Sequence, residues 1–296
     1  MSSILDDLKL QFRSGDVTIR LIFLNLALFV IPFVVVAILS MFGIRFDFLK
    51  YVSLSSFPED LLWKPWSLIT YAFFHAGIWH ILFNLIMLNF SGRLFLTFFT
   101  QKQLLGLYIV SAIFAGIVYL FCYMFFPALS GLRVSMVGAS GAVMAILFAT
   151  TAYSPHMPLR LFLFGNVKLW HIATVLIIID LIQLPAGNTG GHLAHLAGAF
   201  FGYFFIRQLK AGNDIVSWMS NALESVGDMF SGKRKTQPFK AVHRNPVKPS
   251  PKTTSRIVTK DKKQQQIDEI LDKISKSGYD SLTKEEKDFL FRAGQQ

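Results

Sequence analysis

The stretch "GASGAVMA", residues 138–145, opens an apolar run that ends near residue 153, and its reading decides the fold. As a helix that run rises only about 24 Å at 1.5 Å per residue, whereas a bilayer core of about 30 Å needs roughly 20 residues. If it lies in a membrane, its outer end begins below the surface, where backbone must be shielded by protein or line a wet cavity. Ser140 sits at that end among glycines and alanines. Such small residues either let two helices approach closely or clear space around a nucleophile.

The surrounding chain favours a membrane. Of its 296 residues 53% are hydrophobic, 30 are Phe, and the mean hydropathy is +0.47, more apolar side chain than a soluble domain usually carries. Apolar runs of spanning character fall at about 19–43, 76–98, 103–126, 138–153, 168–185 and 190–209. The expected fold is therefore an all-α membrane protein of six transmembrane helices with a short, recessed fourth helix. Arg93, Lys102, Arg160 and Lys168 lie in the loops on the side of the termini, with Lys9, Arg13, Arg207 and Lys210 near the ends. The basic bias predicts that both termini, including a tail after residue 210, are cytoplasmic. The first run lacks a signal-peptide pattern, and Asp6 and Asp7 speak against an acid-poor organellar leader, so a bacterial plasma membrane is the expected location.

The expected organisation is an N-terminal segment 1–18, the six-span domain 19–210, an interfacial amphipathic helix 211–231, a Pro- and Lys-rich linker 232–263 and a helical hairpin 264–296. Residues 232–263 hold 11 basic residues and one acidic residue. Beside a membrane span, such a run reads as a cytoplasmic retention signal or a contact for anionic lipid rather than for nucleic acid. In the hairpin, Ile267, Ile270, Leu271 and Ile274 share a face that a cytoplasmic partner could cover, and Thr283 with Glu286 has the spacing of a capping box.

Three polar clusters fall near the predicted outer ends of even-numbered spans. "FHAGIWHILFN" places His80 and Asn84 on one helix face, with His75 just before them. "GGHLAHLAGAFFG" brings His192 and His195, followed by Gly198 and Gly202 at the spacing that lets helices pack closely. Gly141 and Ala145 offer a matching face, which would carry His195 beside Ser140. A serine hydroxyl needs a base to take its proton, and neutral imidazole is the usual one. The amides at Ser140 and Gly141, with donors from His80 and Asn84, could stabilise an oxyanion. Asp180, in "LIIIDLIQL", reads first as a structural hydrogen-bonding group and second as a triad acid. The histidines have no neighbouring carboxylate or thiol in the sequence, the single cysteine is Cys122, and no metal or cofactor is expected.

Together "HAGIWHILFN", "GASG" and "AHLAGAFFG" resemble, in order and spacing, the rhomboid intramembrane serine proteases. The resemblance is clearest over about 60–210. It implies a Ser140–His195 dyad without a third acidic member, oxyanion stabilisation by His80, Asn84 and the Ser140 amide, and helix packing through Gly138, Gly141, Gly198 and Gly202. It also implies substrates that are transmembrane segments of other proteins, entering laterally and unwinding before cleavage. The sequence departs from the family pattern where Ser67 follows Trp66, at Leu96, and at Met144, where an aromatic often stacks on the catalytic histidine. The rival readings are a catalytically silent relative that binds membrane clients, and a transporter with a polar site. The second is disfavoured because the polar groups cluster away from the midplane and no inverted repeat is evident.

Overall fold

The computed structural model describes residues 4–161, 165–231 and 257–293, which divide into two compact units, Met1–Lys233 and Arg234–Gln296. The first unit opens with α1 (Ile4–Ser14) and α2 (Val17–Met41), so the segment read as 1–18 is itself largely helical. Asp16 starts α2 by accepting the Ile19 amide at 3.1 Å, and the chain leaves it through Gly43 at φ +74. Short helices α3 (Leu49–Val52) and α4 (Ser67–Thr70) follow, then α5 (Ile78–Leu96) and α6 (Gln101–Phe125). A reciprocal Thr100–Gln103 capping box begins α6, giving partners to amides that the first helical turn cannot satisfy itself.

The remaining helices of this unit are α7 (Ser140–Tyr153), α8 (Leu169–Gln183), α9 (Thr189–Lys210) and α10 (Ser217–Ser231). Among the described residues, three helices, α2, α5 and α6, are long and apolar enough to cross a bilayer by length and composition; α7 and α8 are apolar but shorter. With 14 residues α7 is about 21 Å long. The fifth apolar run, expected at spanning length over 168–185, gives a helix of 15 residues. The residues just before it form an antiparallel strand pair, β3 (Pro158–Leu161) with β4 (Gly165–Lys168). A second small sheet pairs β1 (Leu54–Ser55) with β2 (Ser135–Met136). The fold is thus mostly helical, with two small antiparallel strand pairs between helices. Both sheets satisfy loop backbone that apolar periodicity does not reveal.

The core is organised around α7, which packs against α5, α6, α8 and α9 and buries nine of its residues, from Gly141 to Thr150. An apolar helix covered on nearly every side needs small residues where its neighbours come closest. A β-carbon at Gly198 would collide with the Gly141 carbonyl oxygen, and one at Gly202 with that of Ala145. The α7 and α9 backbones therefore touch along this line. α10 is tied to the start of α6: Asp214 accepts the Val216 and Ser217 amides and the Gln103 side-chain amide at 3.0–3.1 Å. Val216, just before α10, and Ser220 within it are buried, while Trp218 and Leu223 are exposed.

The second unit contains α11 (Ile257–Ser277), a 3₁₀ turn at Tyr279–Ser281 and α12 (Lys284–Ala293). The linker boundary placed at 263 falls inside α11; residues 232–256 lie outside the described residues. Ile270 and Leu282 are buried, whereas Leu271 is exposed, so the predicted apolar face is only partly used within the hairpin. Thr283 and Glu286 exchange the two hydrogen bonds of a capping box, at 2.8 and 3.3 Å. Lys273 reaches the Glu286 carboxylate at 2.9 Å and, with the Thr283 amide, holds it below the ordinary glutamate range.

Candidate active site

The chain enters α7 through Gly138 and Ala139, so Ser140 is the first residue of the helix. Gly138 has φ +129, a conformation that L side chains rarely adopt, and its amide donates to the Tyr71 carbonyl at 2.8 Å. A β-carbon there would stand 2.7 Å from His80 Nε2 and 3.7 Å from Ser140 Oγ. Both groups consequently flank the small space that the glycine leaves open. Gly138, grouped by sequence with the helix-packing glycines, instead makes room for an imidazole beside the serine.

His80 lies in the first turn of α5, where its Nδ1 accepts the Ala76 amide at 3.4 Å. That bond puts the imidazole proton on Nε2, the nitrogen next to Gly138. One turn on, Asn84 is buried and donates from Nδ2 to the His80 carbonyl at 2.8 Å. Its second N–H remains for another acceptor, and its buried Oδ1 has no hydrogen-bond partner among the described residues. His75 is buried ahead of α5, its ring edge-on to His80 with centroids 5.2 Å apart.

The third cluster comes from α9. His192 and His195 are one turn apart, and each places Nδ1 2.8 Å from the same oxygen, Asp180 Oδ1 on α8. Asp180 does bond to a neighbouring helix, as expected of a structural group, but its partner there includes the candidate base. Sequence spacing could not reveal this, since the residues are 12 and 15 positions apart. These three side chains have ligand atoms within 4.8 Å of one another, a grouping that could hold a metal ion. However, 2.8 Å is a direct hydrogen-bond distance, and a tetrahedral ion about 2.0–2.2 Å from each ligand would have to push the groups apart.

Ser140, His80, Asn84, His195, His192 and Asp180 all line one cavity of about 1060 Å³. The close approach of α7 to α9 continues to this end of the helices: a β-carbon on Gly141 would lie 3.2 Å from the Ala194 carbonyl. The first-turn amides of α7 lack intrahelical acceptors, as at any helix N-terminus, and favour negative charge beside Ser140. The cavity therefore combines a hydroxyl, an imidazole with Nδ1 already engaged, and N–H groups able to receive a developing oxyanion. Met144 lines it too, in the place where the family often has an aromatic.

Comparison with known proteins agrees in extent with this arrangement. A family model described as the rhomboid domain matches residues 62–210, half of the chain. A family of unknown function, DUF6576, matches residues 258–293. RHOMBOID-like protein 12, mitochondrial, of Arabidopsis thaliana is 33% identical over 159 residues, which are 50% of this chain and 46% of that protein. The chain thus spans about half the length of the curated relative it matches. With every residue of the polar cavity inside the matched segment, the chain belongs to the rhomboid family of membrane proteins.

Proposed function

We propose that the chain is an intramembrane serine endopeptidase in which Ser140 is the nucleophile and His195 the base. The observation that carries this reading is the gathering of Ser140, His195, His80 and Asn84 from three helices around one cavity. His195 Nε2 takes the Ser140 hydroxyl proton as Oγ bonds to the scissile carbonyl carbon. Charge developing on the carbonyl oxygen meets the His80 Nε2–H, the free Asn84 N–H and the Ser140 amide. The imidazolium then protonates the departing amine as the C–N bond breaks, and water releases the acyl group by the reverse sequence.

The substrates are transmembrane segments with small or helix-breaking residues, since backbone must become extended before it can be attacked. The six apolar helices cross the membrane with α7 recessed, both termini and the tail on the cytoplasmic side of a bacterial plasma membrane. The basic linker contacts anionic lipid and the hairpin recruits a cytoplasmic partner. The mitochondrial label is that of the Arabidopsis relative, and the basic-loop bias supports the placement of both termini on one inner side.

The test is cleavage of a reporter transmembrane helix by the purified protein and by Ser140→Ala, with the cut site mapped. Wild type should cleave and the variant should not. Equal turnover by a folded Ser140→Ala would reject the mechanism. Absence of labelling of wild-type Ser140 by a fluorophosphonate would favour the client-binding alternative.

A further inference from the structure

Asp180 is the single acidic residue between Asp60 and Asp214, and it lies in the apolar helix α8. A carboxylate in such a setting is costly unless its charge is met by hydrogen-bond donors. Here the donors are two imidazoles of α9, both at 2.8 Å from Oδ1. Asp180 and His192 are nearly buried, with side-chain exposures of 7% and 11%, while His195 is more open at 25%. The inner two groups thus form a fixed support and the outer imidazole faces the cavity.

An ionised carboxylate can only accept, so each Nδ1 it meets must carry hydrogen. With its proton on Nδ1, neutral His195 has its lone pair on Nε2. That is the form able to take a proton from a hydroxyl. The other tautomer would present N–H to Ser140 and could not act as its base.

We propose that Asp180 is a positioning residue that holds His195 in the Nδ1–H tautomer, and that His192 fixes the carboxylate by occupying the same oxygen. Resting on the serine protease reading, this replaces an unsupported Ser–His pair with a Ser140–His195–Asp180 relay of roles buttressed by His192. Asp180 stays ionised throughout. The serine proton moves to His195 Nε2 and onward to the leaving amine, and the carboxylate stabilises the intervening imidazolium. His192 donates one hydrogen bond and transfers no proton.

Cleavage of a reporter transmembrane helix by the full-length protein tests this, with kcat and KM measured separately for Asp180→Ala, Asp180→Asn and His192→Phe. General-base catalysis contributes about 10²–10⁴-fold, so Asp180→Ala should lower kcat by about 10²-fold or more with KM changed less than about twofold. Asp180→Asn keeps a neutral acceptor and should recover part of that loss, remaining at least about tenfold below wild type. His192→Phe removes the second donor at similar bulk and should cost less than Asp180→Ala.

The direct readout is the ¹⁵N spectrum of His195 in histidine-labelled protein. The Nδ1–H signature should be present in wild type, kept in Asp180→Asn and lost in Asp180→Ala. Wild-type kcat in Asp180→Asn with the Nδ1–H signature of His195 lost would overturn the proposal, even if Asp180→Ala fails to fold. So would a lowered kcat in Asp180→Ala with the His195 signature unchanged, because the loss would then be purely structural. A parallel Ser140→Ala control separates the two failures: residual cleavage there rejects the protease reading itself, whatever Asp180 does.

Discussion

Gly138 carries more of the site's geometry than its lack of a side chain suggests. Its positive φ turns the chain into α7, and its missing β-carbon leaves His80 Nε2 beside Ser140. Gly138→Ala should therefore strain the turn and displace the imidazole together. Losing one oxyanion donor costs roughly 10²–10³ in rate, so kcat on a reporter helix should fall by about that amount with Ser140 still present. Asn84→Ala should be milder, since the His80 and backbone donors remain. Steady-state kinetics on both variants checks the order. For the proposed Ser140–His195 pair, Ser140→Ala and His195→Ala should each abolish cleavage, and the double variant should be no worse, because groups acting as a unit are not additive.

The distance between Ser140 and His195 belongs to α7 and α9 as elements. Their backbones meet where Gly198 faces the Gly141 carbonyl and Gly202 faces that of Ala145. Gly198→Val would place a branched side chain against backbone that has no room to rotate away. The helices must separate, and a misplacement of about 1 Å at the chemistry can cost 10²-fold in rate. The variant should insert into membranes normally yet melt at a lower temperature and lose cleavage in parallel. Wild-type melting and turnover would show that this contact does not set the site.

At the scale of the molecule, the cavity is lined wholly by residues 71–195, inside the first compact unit. The hairpin has its own small core at Ile270 and Leu282 and its own helix cap at Thr283 and Glu286. Truncation after residue 232, just past the end of α10, should therefore leave reporter cleavage in detergent within about twofold of wild type. Impaired processing of natural clients in cells by the same truncation would assign recruitment to the tail. Loss of activity in detergent would instead make the tail part of the catalytic fold.

Much of this was legible in the chain because apolar periodicity and small-residue spacing are local. Runs at 76–98 and 103–126 became α5 and α6 within a few residues, and "GASG" and "AHLAGAFFG" contained the glycines of the α7–α9 contact. Local pattern also placed His80 and Asn84 on one helical face, since residues four apart must share it. It did not give the two small sheets, whose hydrogen bonds join residues as distant as Leu54 and Met136. Nor could it give the role of Asp180, an isolated acid in an apolar run until α8 packs against α9 and two imidazoles reach one oxygen. Composition and spacing determined the membrane character and the family's motifs. Only the packing of helices decided which nitrogen of His195 is engaged, because a hydrogen bond between distant segments exists only once the chain has folded.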